Sequence, residues 1–114
     1  MDNLRYSIRI QILKDTSFFG TGVAELLQLV DDTHFLNRAC EDMNMAYSKG
    51  WKIIKFAEQK IGFSLLESKA GGAYGGGSEV TEDGKKLLMC YLNFKKDLNE
   101  KGDELFKKYF SDYL

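Results

Sequence analysis

The amino-acid sequence predicts an α+β fold, mainly helical, with a long C-terminal helix. Three observations predict it. Apolar and polar residues alternate near the N-terminus, the period-two pattern of a strand. Three segments in the middle repeat apolar residues at helical spacing, and two short strand-like runs around a glycine-rich loop follow them. A heptad-like apolar stripe then occupies the C-terminal part of the chain.

Leu4, Tyr6, Ile8, Ile10 and Ile12 alternate with Arg5, Ser7, Arg9 and Gln11, which marks a half-buried leading strand. The polar run Lys14-Asp15-Thr16-Ser17 ends it. Phe18 and Phe19 re-enter the core, and Gly20-Thr21-Gly22 break the chain. A helix is expected from about Val23 to Asp31, with Val23, Leu26, Leu27 and Val30 on one apolar face. Glu25 suits its positive N-terminal end. A short helix comes next, with Asn37 as N-cap, Leu36 before it as a staple residue, and Ala39, Cys40 and Met43 turned inward.

Asn44 tolerates positive φ and therefore suits a tight turn. The third helix is expected from about Ala46 to Lys60, with Gly50, Ile53, Ile54, Ala57 and Ile61 inward and Gly62 as its C-terminal stop. Phe63 to Ser68 reads as a short strand, residues 70–78 as a loop, and Glu79-Val80 as the returning strand. Thr81 caps the last helix, which runs from Glu82 towards Tyr113. Gly102 is expected to bend or end it. There is no internal repeat, so residues 1–114 are expected to form one domain.

Composition narrows the class. At 114 residues, 44% hydrophobic and 29% charged, the chain can bury a core and does not read as disordered. Cys40 and Cys90 each sit in a helical pattern and read as buried thiols of a reducing compartment. No stretch is apolar for long enough to make a membrane helix, and the N-terminus lacks a signal-peptide pattern. A cytoplasmic protein without membrane contact is therefore expected. The net charge is −1, so overall charge gives no support to nucleic-acid binding; only a local basic surface could provide it.

Helix, short helix, tight turn, helix and hairpin, in that order, make a winged helix-turn-helix. Its third helix fits the major groove of duplex DNA. That helix carries Lys49, Lys52, Lys55 and Lys60 against Glu58, whereas Asp31, Asp32, Glu41 and Asp42 precede it. Positive charge is thus local. On charge alone, a solvated helix face is an equally good reading.

The stretches Phe18-Phe19-Gly20-Thr21-Gly22, Ala24-Glu25-Leu26-Leu27, Met45-Ala46-Tyr47-Ser48-Lys49-Gly50-Trp51, Gly71-Gly72 to Gly75-Gly76-Gly77, and Val80-Thr81-Glu82-Asp83-Gly84 occur in this order. From Leu4 to about Leu88 the chain thereby resembles the N-terminal domain of the ModE family, the molybdate-responsive bacterial regulators. The resemblance implies a winged helix-turn-helix with a leading strand and a dimer built partly by the final helix. Family members often carry Gly, Ser and a further basic residue where this chain has Asn44, Ala46 and Ser48. The wing tip, Ala73-Tyr74, has no basic residue. No part of the chain resembles the molybdate-binding β-barrels that follow in full-length members. Molybdate sensing is therefore not expected of these residues, and the effector stays open.

With that resemblance, Tyr47, Ser48 and Lys49 are the expected base-edge and phosphate contacts. Lys52 and Lys55 are expected at phosphates. Arg38 clamps a phosphate from the short helix or is an ordinary surface arginine, and Lys69 reaches a phosphate beside the loop. Trp51 is expected to pack between helices, in the core or half-buried, more readily than to stack on DNA. A final helix of roughly 30 residues would reach about 45 Å, longer than a small domain needs. Its stripe Leu87, Tyr91, Phe94, Leu98, Leu105 and Tyr109 is therefore expected to form a homodimer. A dimer places two recognition helices on successive turns of a palindromic operator in double-stranded DNA.

Other chemistries find little support. The glycine-rich loop lacks the Gly-Lys-Ser/Thr ending of a phosphate-binding P-loop, and it returns through a strand before the next helix. His34 has no second Cys/His pair for zinc, and no base, nucleophile and orienting group come together for catalysis. Neither a cofactor nor an enzymatic activity is expected. The alternative function is a winged-helix protein-interaction or dimerisation adaptor without specific DNA binding.

Overall fold

A computed structural model describes residues 3–69 and 77–114. Its elements are β1 (Ile12–Leu13), β2 (Ser17–Phe19), α1 (Thr21–Thr33), α2 (Leu36–Asp42), α3 (Tyr47–Ile61), β3 (Leu66–Ser68), β4 (Ser78–Val80) and α4 (Glu82–Phe110). A 3-10 turn over Ser111–Tyr113 closes the chain. Both sheets are two-stranded and antiparallel, β1 with β2 and β3 with β4. The fold is α+β and mainly helical, as the periodicities predict.

The core lies where α1, α2 and α3 meet. Leu26, Leu27 and Val30 of α1, Ala39 and Cys40 of α2, and Ile54 and Ala57 of α3 are all buried, together with Phe18 and Phe19 of β2. Removing a side chain of this kind from water contributes about 1.5–3 kcal/mol. Gly50 faces the same junction. A Cβ there would collide with Cys40 Sγ and sit 3.5 Å from Met45 Sδ, so the glycine lets α3 approach α2 closely.

The leading strand is the main difference from expectation. Only Ile12 and Leu13 pair, opposite Phe19 and Ser17, and the ladder is irregular between them. Residues 3–11 have no strand partner among the described residues, and Leu4 and Ile8 are exposed. Alternation alone does not make a ladder; it needs an edge, and the three-residue β2 is too short to supply one. The segment lies along α4 instead. The Tyr6 hydroxyl donates to the Asp103 carboxylate and lies 3.1 Å from the Asn99 carbonyl oxygen, while its ring packs 4.9 Å from Phe106. The accepting carboxylate pushes the Tyr6 hydroxyl pKa up to about 12, because ionisation would break the bond and set two negative charges together.

This contact also accounts for Gly102. The helix neither ends nor breaks there; a Cβ would lie 2.6 Å from the Tyr6 hydroxyl. The glycine is a seat for Tyr6, not a stop.

Smaller corrections follow from helix ends. α1 begins at Thr21, so Glu25 lies beyond its first turn, which contains no acid. It ends at His34, which adopts φ 66° while its N–H donates to the Val30 carbonyl at 2.7 Å. Phe35, not Asn37, is the N-cap of α2, and Asn37 is exposed inside the first turn. Ile53 and Ile61 are only half-buried. Phe63 precedes the hairpin instead of joining it, and Leu65 is fully buried. Cys90 is exposed, unlike Cys40.

Thr81 caps α4 as expected: its Oγ1 accepts the Gly84 N–H at 2.9 Å and its hydroxyl donates to the Ser64 carbonyl at 2.6 Å. Glu82 and Asp83 in the first turn and Lys107 and Lys108 in the last match the helix dipole. α4 outruns the body it starts from. The molecule measures 60 × 31 × 21 Å with a radius of gyration of 17.4 Å, against about 13 Å for a compact chain of roughly 100 residues.

Candidate nucleic-acid interface

The turn into α3 is built by backbone. Asn44 takes φ 54°, its N–H donates to the Glu41 carbonyl at 3.0 Å, and the Met45 N–H donates to the Cys40 carbonyl at 2.9 Å. The positive φ expected of Asn44 is present. Ala46 is the N-cap and offers no side-chain acceptor, and the first turn of α3 holds no acid. The N–H groups of Tyr47 and Ser48 therefore have no side-chain cap, the Lys49 N–H donates to the Ala46 carbonyl at 3.1 Å, and the positive end of the helix dipole lies here, a surface suited to phosphate.

The side chains on this end are exposed. Tyr47, Ser48, Lys49, Lys52 and Lys55 all reach solvent. Trp51 does too, at 46% exposure, which overturns the expectation that it packs between helices. Tyr47, Trp51 and Lys55 stand four residues apart on one side of the helix. The Lys55 ammonium lies 5.6 Å from the Trp51 ring centroid. These three line a shallow cleft with Leu66 and Ser68 of the hairpin, so α3 and β3 present one surface. Trp51 was legible only as an aromatic between lysines; Gly50, Ile54 and Ala57 form the buried face of α3, and Trp51 lies outside it.

The lysines are not equivalent. Lys49 and Lys52 form no ion pair among the described residues. Lys55 sits 3.2 Å from Glu58, whose other oxygen accepts the Leu65 and Leu66 N–H groups at 2.7 and 3.2 Å. Glu58 thus ties the hairpin to α3. Lys60 pairs with Asp15 at 3.0 Å, and that pairing lowers the Asp15 pKa.

On the hairpin, Lys69 lies 2.8 Å from Glu79. Ser68 opposes Ser78, so residues 69 and 79 are diagonal neighbours across the two strands. Each raises or lowers the other in the expected sense: Glu79 holds the Lys69 ammonium protonated, and Lys69 holds the Glu79 carboxyl ionised. Lys69 is therefore a cation already engaged, although an exposed pair of this kind is weak. The expected wing tip at Ala73-Tyr74 lies outside the described residues. Arg38 is exposed in the first turn of α2, its guanidinium 5.5 Å from the Phe35 ring centroid.

The expected dimer stripe divides in two. Tyr91 is 2% exposed and belongs to the protomer's own core. Its hydroxyl donates to the Ile10 carbonyl at 2.9 Å, and its ring meets Phe19 edge-on at 5.2 Å. Tyr91 therefore has no surface to offer a second chain. Leu87 is half-buried against the same core. Phe94, Leu98, Leu105 and Tyr109 remain exposed. The early turns of α4 lie against the body, and the later turns extend past it.

No protein-family model matches the chain. It is similar to two proteins named "Molybdenum transport protein ModE". One, from Herbaspirillum seropedicae, is 27% identical over 82 residues, covering 72% of this chain and 29% of that protein. The other, from Azotobacter vinelandii, is 23% identical over 112 residues, covering 95% of this chain and 40% of that protein. The chain spans less than half the length of these relatives.

Proposed function

We propose that the chain is the DNA-binding part of a transcription regulator, a winged helix-turn-helix that grips a palindromic operator as a homodimer. The observation that carries this reading is the start of α3. It pairs uncapped N–H groups with exposed Tyr47, Ser48, Lys49 and Lys52, and the two lysines have no acid partner among the described residues. In this reading α2, the Asn44 turn and α3 form the helix-turn-helix, and β3 and β4 form the base of the wing.

The roles follow from position. Tyr47, Ser48 and Lys49 meet base edges in the major groove, as the first residues of a recognition helix do. Lys52 and Arg38 meet phosphates, which position the protein without reading sequence. Trp51 joins this surface as an additional contact, its ring lying along sugar or base. Lys55 and Lys69 contribute less, since each already faces an acid. The similarity to the two ModE proteins supports a regulator, and no effector follows from it for this chain. The exposed apolar residues Phe94, Leu98, Leu105 and Tyr109 support the dimer.

Lys49→Ala tests the assignment. Lys49 is exposed, so the variant is expected to fold with unchanged circular dichroism and melting temperature. Its operator affinity is expected to fall by about 1–3 kcal/mol. A folded Lys49→Ala protein that binds operator like the wild type would remove Lys49 from the interface. A protein partner captured in stoichiometric amount, with no DNA shift at low salt, would favour the adaptor function instead.

A further inference from the structure

A recess of about 470 Å³ opens between the N-terminal segment, the β2–α1 corner and α3. Its size lies within the range of small-molecule sites, roughly 300–1,000 Å³. The walls are chiefly apolar, with Phe18, Val23, Met45 and Phe56 among them, and Arg9 and Lys52 bring two cations to the same lining. Neither cation has an acid partner among the described residues. Lys60, whose ammonium is 5.5 Å from the Phe56 ring centroid, is already held by Asp15.

We propose that this recess binds a small organic monocarboxylate with an apolar body. The pairing of surfaces selects that class. Apolar walls favour a hydrocarbon chain or ring, and cations without acid partners on the lining favour an anionic head over a neutral one. The backbone adds to the match without carrying it: Thr21 and Gly22, the first residues of α1, also line the recess. The first helical bond of α1 runs from the Ala24 N–H to Gly20, and no side chain caps the preceding N–H groups. Under the DNA-binding reading above, the ligand also has a consequence. Its carboxylate competes with DNA phosphate for Lys52, so occupancy weakens operator binding.

Octanoate is the probe, with octanamide as its neutral match, titrated calorimetrically into the intact protein without DNA. The expected result is saturable one-site octanoate binding with Kd of about 1 mM or tighter. Octanamide, and octanoate with Arg9→Gln, are expected to bind at least about tenfold more weakly. No saturation by about 10 mM octanoate, or equal binding of acid and amide, would overturn the site. Protein-concentration-dependent NMR shifts at Phe18 and Phe56, without any octanoate effect, would assign the recess to a second copy of the chain and likewise overturn it. The DNA arm is separate. Octanoate that binds but leaves operator affinity unchanged overturns the competition at Lys52. Absence of any DNA binding counts against the regulator, while calorimetry still decides the site.

Discussion

Two surfaces of this protein are exposed for opposite reasons. The start of α3 shows charge and dipole: uncapped N–H groups, Lys49 and Lys52 without acid partners, and Tyr47 and Trp51 beside them. The later turns of α4 show hydrocarbon: Phe94, Leu98, Leu105 and Tyr109. Solvation satisfies the first surface until a polyanion displaces water and counterions. Water does not satisfy the second, and its cheapest cover is another apolar face. Exposure alone therefore says little about the partner. What each group lacks in the protomer says more.

The largest expected effect comes from separating the two surfaces. Leu98→Asp with Leu105→Asp changes only exposed positions, so the body should fold as before. Under the proposed function, sedimentation is expected to show a dimer for the wild type and a monomer for the variant, and operator affinity should fall by about 100-fold or more through lost bivalency. A monomeric wild type, or a doubly substituted protein that still dimerises, would break the assignment of α4.

Two glycines sharpen the contrast between body and extension. Gly50→Ala drives a methyl group towards Cys40 Sγ inside the core and should cost about 1–3 kcal/mol, read from chemical denaturation. At Gly102 the obstacle is the tip of the Tyr6 side chain, which can swing away. Gly102→Ala should therefore stay within about 1 kcal/mol of wild type, helix propensity offsetting the lost contact. Equal penalties at the two sites would mean that the N-terminal segment is held as firmly as the core.

The lysines give a smaller, salt-dependent effect. Lys52→Ala should reduce the slope of log affinity against log salt by about 1. Lys69→Ala should reduce it less, because Glu79 already offsets that charge. Glu79→Gln should raise the slope by freeing Lys69. Equal slopes for the Lys52 and Lys69 variants would show that the hairpin pair opens on DNA.

The smallest effect is the Tyr6 contact with Asp103. Its pKa in the folded protein is raised from 10.0 to about 12. With the Asp103 carboxylate ionised, the contribution is therefore complete from neutral pH to pH 10 and is lost as pH rises through about 12. The stability difference between wild type and Tyr6→Phe should be constant from neutral pH to pH 10 and fall away as pH passes through about 12. A difference unchanged across that window would exclude the hydroxyl from the contact.

Much of this architecture was legible in the residues. The spacing of Leu26, Leu27 and Val30 predicts α1, and Asn44, Gly62 and Thr81 mark turn, stop and cap where they occur. What stayed hidden depends on non-local geometry. Alternation from Leu4 to Ile12 could not show that no strand edge waits for it. The helical spacing that placed Tyr91 in a dimer stripe is the same spacing that sends it under Phe19. Whether a stripe residue is covered depends on where the body ends along α4. In the site, exposure of Lys49 and Lys52 follows from the helical period. The neutralisation of Lys69 depends on hairpin register, which a glycine-rich run does not specify.

The most direct measurement is a titration of the protein against a labelled fragment of its own upstream DNA and a scrambled fragment, at two salt concentrations. A preference for the native fragment of about 1,000-fold or more that persists at the higher salt is expected. Weak binding, equal on both fragments and lost with salt, would contradict an operator-specific regulator.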